Sequence, residues 1–411
     1  MKTLIILKGL VKKHKINWVK EQGLDLFFLD YNIVRNLYSA PELLTSDKEG
    51  ILNFSFSDIV YKRFIEILCF RMSKGCLIVL DIENLSYSTI ENLATIFGYS
   101  VFWTIDSIPK DYLKNAKNYI DSIYPVKSKL ELKKDILNYN NSIERLDGSN
   151  IITEYSQIED YWSKRASKIN TTYLNPESKI THISDIHSNF NIYQGLDLEG
   201  SSLCIFYGDY IDGPIKGGSR KMLDEVLNNK KENLVWLEGN HESRLRKYLG
   251  ARYMRSIGKD TLADTLLTGI PEEFFTTTAQ EFSDIKPENI LDYIRQLNNK
   301  LELFHIIKTP RNTFICTHSG FRYIDQISPK YIGNVVYGTR NIDRIDKTFS
   351  DNRKKKSLWS IHAHCKYPTD WKVDKYSHVL NIDPIDEYEV VILTQVNTDF
   401  KVCKIRQEEL K

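Results

Sequence analysis

The chain has 411 residues, of which 42% are hydrophobic and 27% are charged, so it is long enough for two or three domains with cores of their own. Its formal net charge of +2 is too small to indicate or to exclude a nucleic-acid partner. The six cysteines form no CxxC pair, and no apolar run reaches membrane-spanning length. We therefore expect a cytoplasmic protein with reduced thiols and no membrane association, located in the host cytoplasm if a phage encodes it.

The first part of the chain, residues 1–125, alternates short apolar runs with stretches of helical period. Runs such as TLIILKG and CLIVLDIENL are typical of strands buried on both faces, so we predict a parallel α/β sheet. After the first run, the P-loop template G-x-x-x-x-G-K-[ST] falls on Gly9, His14, Lys15 and Ile16, and only Gly9 and Lys15 match. A side chain at position 14 would crowd a phosphate-binding loop, and Ile16 has no hydroxyl for magnesium. We interpret Gly9 and Lys15 as a vestigial P-loop.

The elements that follow resemble the polynucleotide-kinase branch of the P-loop phosphotransferases. The D-x-x-R element of that branch corresponds to Asn32 and Arg35, so an Asn replaces the expected basic Asp, and Asp30 lies two residues earlier. Asp81 and Asn84 fit the next strand of the family pattern. The resemblance implies a P-loop kinase-like fold, and the lost residues predict that kinase activity is absent. An ordinary α/β domain with a lysine-rich first loop is the alternative.

The remaining chain divides into a connector and a second α/β part. Residues 126–177 are polar and charged with little strand signal, which predicts a helical connector. From residue 178 to residue 411 apolar strands return, and a long, mainly helical insertion at residues 245–305 separates the third from the fourth. Each strand ends on polar residues, in the segments ITHISDIH, LCIFYGDYID, LVWLEGNHE, TFICTHSG and LWSIHAH.

These polar strand ends predict a metal site. Because ligands collect outside the carboxyl ends of strands in α/β sheets, we expect the side chains to meet at one edge. They mix carboxylate, amide and imidazole groups without an evident thiolate, which suits hard to borderline divalent ions. Seven ligands are too many for one ion, and two ions roughly 3.5–4 Å apart need a bridging group. The candidates are Asp185, His187, Asp209, Asn240, His318, His362 and His364.

In chain order, the motifs DIH, GDYID, GNHE, THSG and IHAH resemble the signature of the calcineurin-like metallophosphoesterases. That signature reads D-x-H, G-D-x-x-D, G-N-H-[DE], H-[GA] and G-H-x-H, and the resemblance covers residues 178–411. It implies an αββα sandwich and metal-dependent hydrolysis of phosphate esters. Manganese is the expected metal, with iron, zinc, nickel and magnesium as alternatives. Each motif alone would be uninformative, but five in family order are not a coincidence. His182 and His378 fall outside the pattern and are interpreted as structural or surface residues.

The resemblance also implies a role for each motif residue. Asp209 would bridge two metal ions, and His241 would be the general acid that protonates the leaving oxygen, oriented by Asp212. The ligands of one ion would be Asp185, His187 and His364. The ligands of the other ion would be Asn240, His318 and His362.

Two positions depart from the family pattern. Ile361 replaces the glycine before His362, a change that we expect to be tolerated. Gly213 replaces the arginine that clamps the phosphate in many phosphatases, so another cation is needed. Asp383 stands where related enzymes carry an Asp near the site. The candidates for contact with the substrate phosphate are Arg244, Arg322, Arg340 and Asp383.

The order of the two predicted domains suggests a substrate. A polynucleotide-kinase-like module ahead of a calcineurin-like phosphatase resembles bacterial and phage end-healing enzymes, which remove terminal or 2′,3′-cyclic phosphates from RNA. We therefore expect RNA ends as the substrate. The alternatives are a serine/threonine-type protein phosphatase, a dinucleoside polyphosphate hydrolase, and a nucleotide- or RNA-binding protein. Retention of every metal ligand favours an enzyme over a binding protein.

Overall fold

In the computed structural model of the chain, the described residues form two compact units. The first comprises Lys2–Ala94 and Tyr99–Trp162, and the second comprises Met1, Thr95–Gly98 and Ser163–Lys411. The described residues are 1–31, 34, 49–81, 86–110, 112, 114, 129–143, 150–213, 215–321, 327–337, 357–364, 378–384 and 389–406.

A parallel sheet of five strands forms the centre of the first unit. Its strands are β1 (Lys2–Lys8), β2 (Phe28–Asp30), β3 (Ile78–Asp81), β4 (Tyr99–Ile105) and β5 (Ile151–Ile152). The order across the sheet is β2-β3-β1-β4-β5, so β1 is central. All seven residues of β1 are buried, in keeping with the apolar run LIIL at its centre. The parallel α/β sheet is thus confirmed, and its kinship with P-loop kinases stays a prediction.

The helices of the first half of the chain include two within the predicted connector. A short 3₁₀ helix, Asp25–Phe27, precedes β2. The α-helices are α1 (Lys12–Glu21), α2 (Glu49–Ser73), α3 (Tyr87–Phe97), α4 (Lys129–Ile143) and α5 (Ser156–Ile169). The connector segment therefore holds α4 and α5, but it also contributes the short strand β5 to the first sheet.

Two five-stranded sheets form the second unit. Their strands are β6 (Thr171–Tyr173), β7 (Lys179–Ile183), β8 (Leu203–Phe206), β9 (Leu234–Trp236), β10 (Phe304–Lys308), β11 (Thr313–Ser319), β12 (Leu358–Ala363), β13 (Val379–Asn381), β14 (Glu389–Val396) and β15 (Asp399–Arg406). One sheet has the order β13-β12-β11-β10-β6 and the other has the order β15-β14-β7-β8-β9. Both are mixed, because β11 runs antiparallel to β10 and β14 runs antiparallel to β7 and β15.

The two sheets pack face to face over one hydrophobic core. Ile205 and Val235 from one sheet and Phe314 and Ile361 from the other belong to the same buried cluster. Burial of this apolar surface stabilises the sandwich. On the outer side, Tyr193 packs against the aromatic side chains of β8 and β9. The layers agree with the predicted metallophosphoesterase sandwich.

Eight helices follow in the described part of the second unit. They are α6 (Phe190–Gly195), α7 (Gly218–Asn228), α8 (Asn240–Ser256), α9 (Asp260–Leu267), α10 (Glu272–Thr276), α11 (Thr278–Glu281), α12 (Pro287–Lys300) and α13 (Asn334–Tyr337). The helical insertion predicted at residues 245–305 is present as α8 to α12. Among the described residues, no helix is long and apolar enough to cross a membrane. The described cysteines are free thiols, namely Cys69, Cys76, Cys204, Cys316 and Cys403.

His182 and His378, which lie near the motif strands but outside the motif pattern, make structural contacts. His182 is buried, with Nδ1 2.9 Å from the Tyr207 hydroxyl and Nε2 2.8 Å from the side-chain oxygen of Gln395. Burial lowers the pKa of His182 to about 4, so the ring is neutral. His378 stacks on Trp359, with ring centroids 4.3 Å apart.

Candidate metal and catalytic site

The polar residues at the strand ends meet at one edge of the second unit, and both sheets contribute. Asp185 follows β7, Asp209 follows β8, and Asn240 begins α8 after β9. His318 lies at the end of β11 in the other sheet, and His364 follows β12. The carboxyl ends of these strands thus supply one site, as the sequence predicts.

Four of these side chains form a first cluster of ligand atoms. One atom each from Asp185, Asp209, His318 and His364 lies within 4.8 Å of the others. His318 Nε2 is 3.5 Å from Asp209 Oδ1, and His364 Nδ1 is 3.7 Å from Asp209 Oδ2. Asn240 adjoins this cluster, because its Oδ1 is 3.1 Å from His318 Nε2.

A second cluster comprises His187, Asp209 and His241, with ligand atoms again within 4.8 Å of one another. His241 Nε2 is 3.5 Å from Asp209 Oδ2. The rings of His187 and His241 meet edge to face with centroids 5.1 Å apart. Asp209 is the member common to both clusters, which is the position expected of a bridging ligand.

Other predicted site residues are placed differently. His362 is buried in β12, and its Nδ1 lies 3.0 Å from the backbone oxygen of Ala363. Among the described residues, neither cluster includes His362 or Asp383. The backbone N–H of Asp383 donates to the side chain of Asn381 at 3.1 Å. The division of ligands between two ions and the roles of these residues stay predictions. Outside the described residues lie Arg322 and Arg340.

The backbone at the site is locally strained. The φ angle is +46° at His187, +48° at Asp209 and +55° at His364, in the left-handed region that L-residues rarely adopt. Such conformations cost about 1–3 kcal/mol each and gather at functional sites. Neighbouring backbone holds them in place: the His187 N–H donates to the Asp209 carbonyl at 2.8 Å. At Gly239 an added Cβ would lie 2.2 Å from the Asp209 nitrogen, so only glycine allows this approach.

Burial keeps three of the candidate metal-binding histidines neutral. Burial, supported by the charge of His241, lowers the pKa of His187 to about 4. Burial likewise lowers the pKa of His318 to about 3 and that of His362 to about 4. A neutral imidazole keeps a lone pair for a metal ion.

One ring nitrogen of the site is available to bind an ion. Among the described residues, the buried Nδ1 of His187 has no hydrogen-bond partner. A buried polar atom without a partner is costly, and a bound ion would supply one. Together with the oxygen and nitrogen donor set, this atom fits a hard to borderline divalent ion.

His241, a member of the second cluster, forms an ion pair with Asp212, with Nδ1 3.0 Å from Oδ2. Burial opposes charge on His241, but Asp209 and Asp212 outweigh it and raise the pKa of His241. Burial would raise the pKa of Asp212, but its contacts with His241 and Arg244 lower it. Thr278 Oγ1 donates to the other oxygen of Asp212 at 3.1 Å. The imidazole is thus oriented, and the shift of its pKa favours the protonated form that a proton donor needs.

Two residues that hold this arrangement were missed by sequence reasoning, Glu242 and Thr278. The backbone N–H groups of Gly239 and Asp209 donate to Glu242 Oε2 at 2.9 and 3.1 Å, and that of Tyr210 donates to Oε1 at 2.8 Å. The GNHE motif contained the signal for Glu242, since an acidic residue in the first helical turn often caps the helix N-terminus. Thr278 lies in the helical insertion, where the sequence offered no signal.

In the first unit, acidic side chains contact Lys15 and Gly9, the two residues predicted to form a vestigial P-loop. The Lys15 ammonium lies 2.8 and 2.7 Å from the two carboxylate oxygens of Asp81, and both side chains are buried. At Gly9, an added Cβ would lie 2.8 Å from the Cβ of Asp106. His14 Nδ1 is 2.9 Å from the carboxylate of Asp106. Outside the described residues lie Asn32, Arg35 and Asn84.

Comparison with known proteins identifies the second unit. A family model for calcineurin-like phosphoesterases matches residues 178–392. A solved structure of a protein provisionally assigned as a diadenosine tetraphosphatase is 15% identical, with a TM-score of 0.33 over 58% of this chain and 99% of that one. Hypothetical protein PH1004 from Pyrococcus horikoshii OT3 is 15% identical, with a TM-score of 0.35 over 57% of this chain and 90% of that one. No curated protein matches the chain. Because the family model covers more than half of its length, the chain belongs to the calcineurin-like phosphoesterases and is a metal-dependent phosphoester hydrolase.

Proposed function

We propose that the chain is a two-metal phosphoesterase that removes terminal or 2′,3′-cyclic phosphates from RNA ends. The observation that carries the two-metal part is the membership of Asp209 in both ligand clusters. When bound, two divalent ions supply the charge that neutralises phosphate oxygens and acidifies water. Manganese is the proposed ion. The proposed ligands are Asp185, His187, Asp209, Asn240, His318, His362 and His364.

The chain's own residues supply the proton for the leaving group. His241 carries that proton, because its pKa is raised by Asp209 and Asp212 against the opposing effect of burial. Asp212 holds Nδ1, and Nε2 lies on the side of Asp209. A departing alkoxide needs this proton, whereas an activated aryl oxide needs it little.

RNA ends are the proposed substrate because a separate α/β unit precedes the hydrolase. A cavity of about 330 Å³ lies at the carboxyl ends of β1, β4 and β5 and is bordered by Lys8, Lys15 and Trp18. A cavity of this size suits a small ligand or one residue of a longer one. Remote contacts on a long substrate help to position the reacting phosphate. Since Asp81 engages Lys15, we propose that this unit binds without transferring phosphate.

A substrate panel tests this proposal. The intact protein with manganese is compared on RNA 2′,3′-cyclic phosphate, RNA 3′-phosphate, diadenosine tetraphosphate and a phosphopeptide. We expect the highest kcat/KM on one of the two RNA ends. A preference for the dinucleotide or the phosphopeptide would contradict the RNA assignment and leave the hydrolase intact. The Asp209→Ala variant controls for contaminating phosphatases.

A further inference from the structure

Arg244 lies one turn after His241 in α8 and is anchored through a single nitrogen. Its Nη1 donates to Asp212 Oδ2 at 2.8 Å and lies 3.3 and 3.4 Å from the two ring nitrogens of His241. In the part of the chain that the structure describes, Nε and Nη2 make no hydrogen bond. The side chain is 29% exposed, so a ligand can reach it from solvent.

Two other arginines of α8, Arg246 and Arg252, differ from Arg244 because each donates through two guanidinium nitrogens within the fold. Arg246 pairs with buried Glu238. Arg252 donates through Nη1 and Nη2 to backbone carbonyls. Arg255 pairs with Asp264 at the protein surface. Arg244 instead combines a fixed position next to the candidate acid with an open edge.

Position 213 cannot supply a cation for the substrate phosphate. A Cβ added to Gly213 would lie 1.7 Å from the carbonyl oxygen of His187, a distance that no side chain tolerates. The loop after β8 therefore approaches the site without a side chain at position 213. A cation for the substrate must come from another element, and α8 presents one.

The unused edge of Arg244 suits a phosphoryl group. Its Nε and Nη2 present two parallel N–H donors, which match two oxygens of a phosphate. The Asp212 contact fixes the guanidinium in advance, which reduces the entropy lost on binding. Asp212 Oδ2 is shared between Arg244 and His241, so the carboxylate holds the guanidinium next to the candidate acid.

We infer that Arg244 binds the phosphoryl group of the substrate, and inorganic phosphate as product, through Nε and Nη2. The inference rests on the hydrolytic site proposed above and assigns the residue that holds the phosphate there. Asp212 then has two tasks, since it orients both the proton donor and the phosphate-binding cation.

The test uses intact protein with manganese and compares Arg244→Ala and Arg244→Lys with Arg255→Ala, a control on the same helix. We measure KM and kcat for p-nitrophenyl phosphate, Ki for inorganic phosphate, metal content, and the pH profile of kcat. For Arg244→Ala we expect KM and Ki to rise together by about tenfold or more, because a charge-assisted pair of hydrogen bonds is lost. Lysine should recover part of the loss, and Arg255→Ala should match the parent protein.

Other outcomes overturn the inference. If Ki is unchanged and only the pH profile moves, Arg244 acts through His241 and not on phosphate. Unchanged kinetics in both variants would equally contradict it. If Arg244→Ala does not fold, the Ki of Arg244→Lys decides. If the parent protein hydrolyses none of the esters, the affinity of parent and variant for inorganic phosphate is measured by calorimetry in place of Ki. The proposed function and this inference can therefore fail separately.

Discussion

The carboxylate of Glu242 accepts a hydrogen bond from the backbone N–H of Asp209 at 3.1 Å. It also accepts hydrogen bonds from the backbone N–H groups of Gly239 and Tyr210, so both carboxylate oxygens act as acceptors. One buried side chain thereby ties the loop that carries Asp209 to the first turn of α8, which carries His241.

Glu242→Gln should disrupt this tie. A glutamine has one acceptor oxygen, and its amide nitrogen would face an N–H donor. We expect a loss of about 1–3 kcal/mol in the free energy of unfolding, together with reduced manganese binding and phosphatase activity. Urea denaturation and metal analysis measure these changes. The control is Glu225→Gln, since Glu225 accepts from Tyr193 and Asn229 through Oε1 alone. Equal effects in both variants would contradict the role of Glu242.

Asp209→Ala should abolish phosphoesterase activity and reduce bound metal. Asp209 is the carboxylate shared by both clusters, so its loss removes a ligand from each. Metal analysis and the turnover of p-nitrophenyl phosphate give the result. The control is Asp197→Ala, which removes an exposed carboxylate of the same unit. Two ions per chain in purified Asp209→Ala would show that the bridging assignment is wrong.

His241→Ala should keep its metal ions but lose far more rate on an alkyl phosphate than on p-nitrophenyl phosphate. Proton transfer to the leaving oxygen typically contributes about 10²–10⁴-fold, and an aryl leaving group needs little of it. The kcat of the variant on each ester, divided by the parent value, measures the effect. Equal losses on both esters would remove His241 from the role of general acid.

Asp212→Asn should shift the pH dependence of alkyl ester hydrolysis. Burial disfavours the charged form of His241, but Asp209 and Asp212 raise its pKa, and the rate should fall as pH rises through that value. Without the Asp212 charge the pKa of His241 falls, so the basic limb moves to lower pH. A profile of kcat against pH on an alkyl phosphate measures this shift. If the basic limb of the profile stays in place or moves to higher pH, the pairing of Asp212 with His241 is contradicted.

The intact protein should transfer no phosphate from ATP to a 5′-hydroxyl RNA end. Ile16 offers no hydroxyl for magnesium, and Lys15 is held by Asp81 in a buried ion pair. Labelled ATP with a 5′-hydroxyl oligonucleotide measures the transfer, and an active polynucleotide kinase is the positive control. Labelling that disappears in Lys15→Ala would contradict the prediction.

Much of the fold could be predicted because buried strands leave continuous apolar runs in the sequence, as in β8 and β9. Strand order could not be predicted in this way. The pairing of β14 with β7 joins Ile392 to Ile183, and no local pattern reports a contact over such a separation. The strands β5 and β6 have two and three residues and lie in a polar segment, so they carry too few residues for a period.

The same distinction between local pattern and long-range contact applies to the candidate site. Asp185, Asp209 and His318 could be predicted because each follows or ends a buried strand, and strand ends meet at a sheet edge. The contact of Thr278 with Asp212 spans 66 residues and depends on how α11 packs. Hydrophobic period reports which side of a helix is buried, but it does not report side-chain hydrogen bonds.

The left-handed backbone at His187, Asp209, Asp212 and His364 has a consequence for protein engineering. A glycine at such a position relieves strain of about 1–2 kcal/mol, because it has no Cβ to clash. Replacement of a half-buried member such as His364 can therefore raise heat resistance while removing a candidate ligand. A screen for thermostable variants of this chain would enrich inactive proteins, so thermostability and phosphatase activity should be selected together.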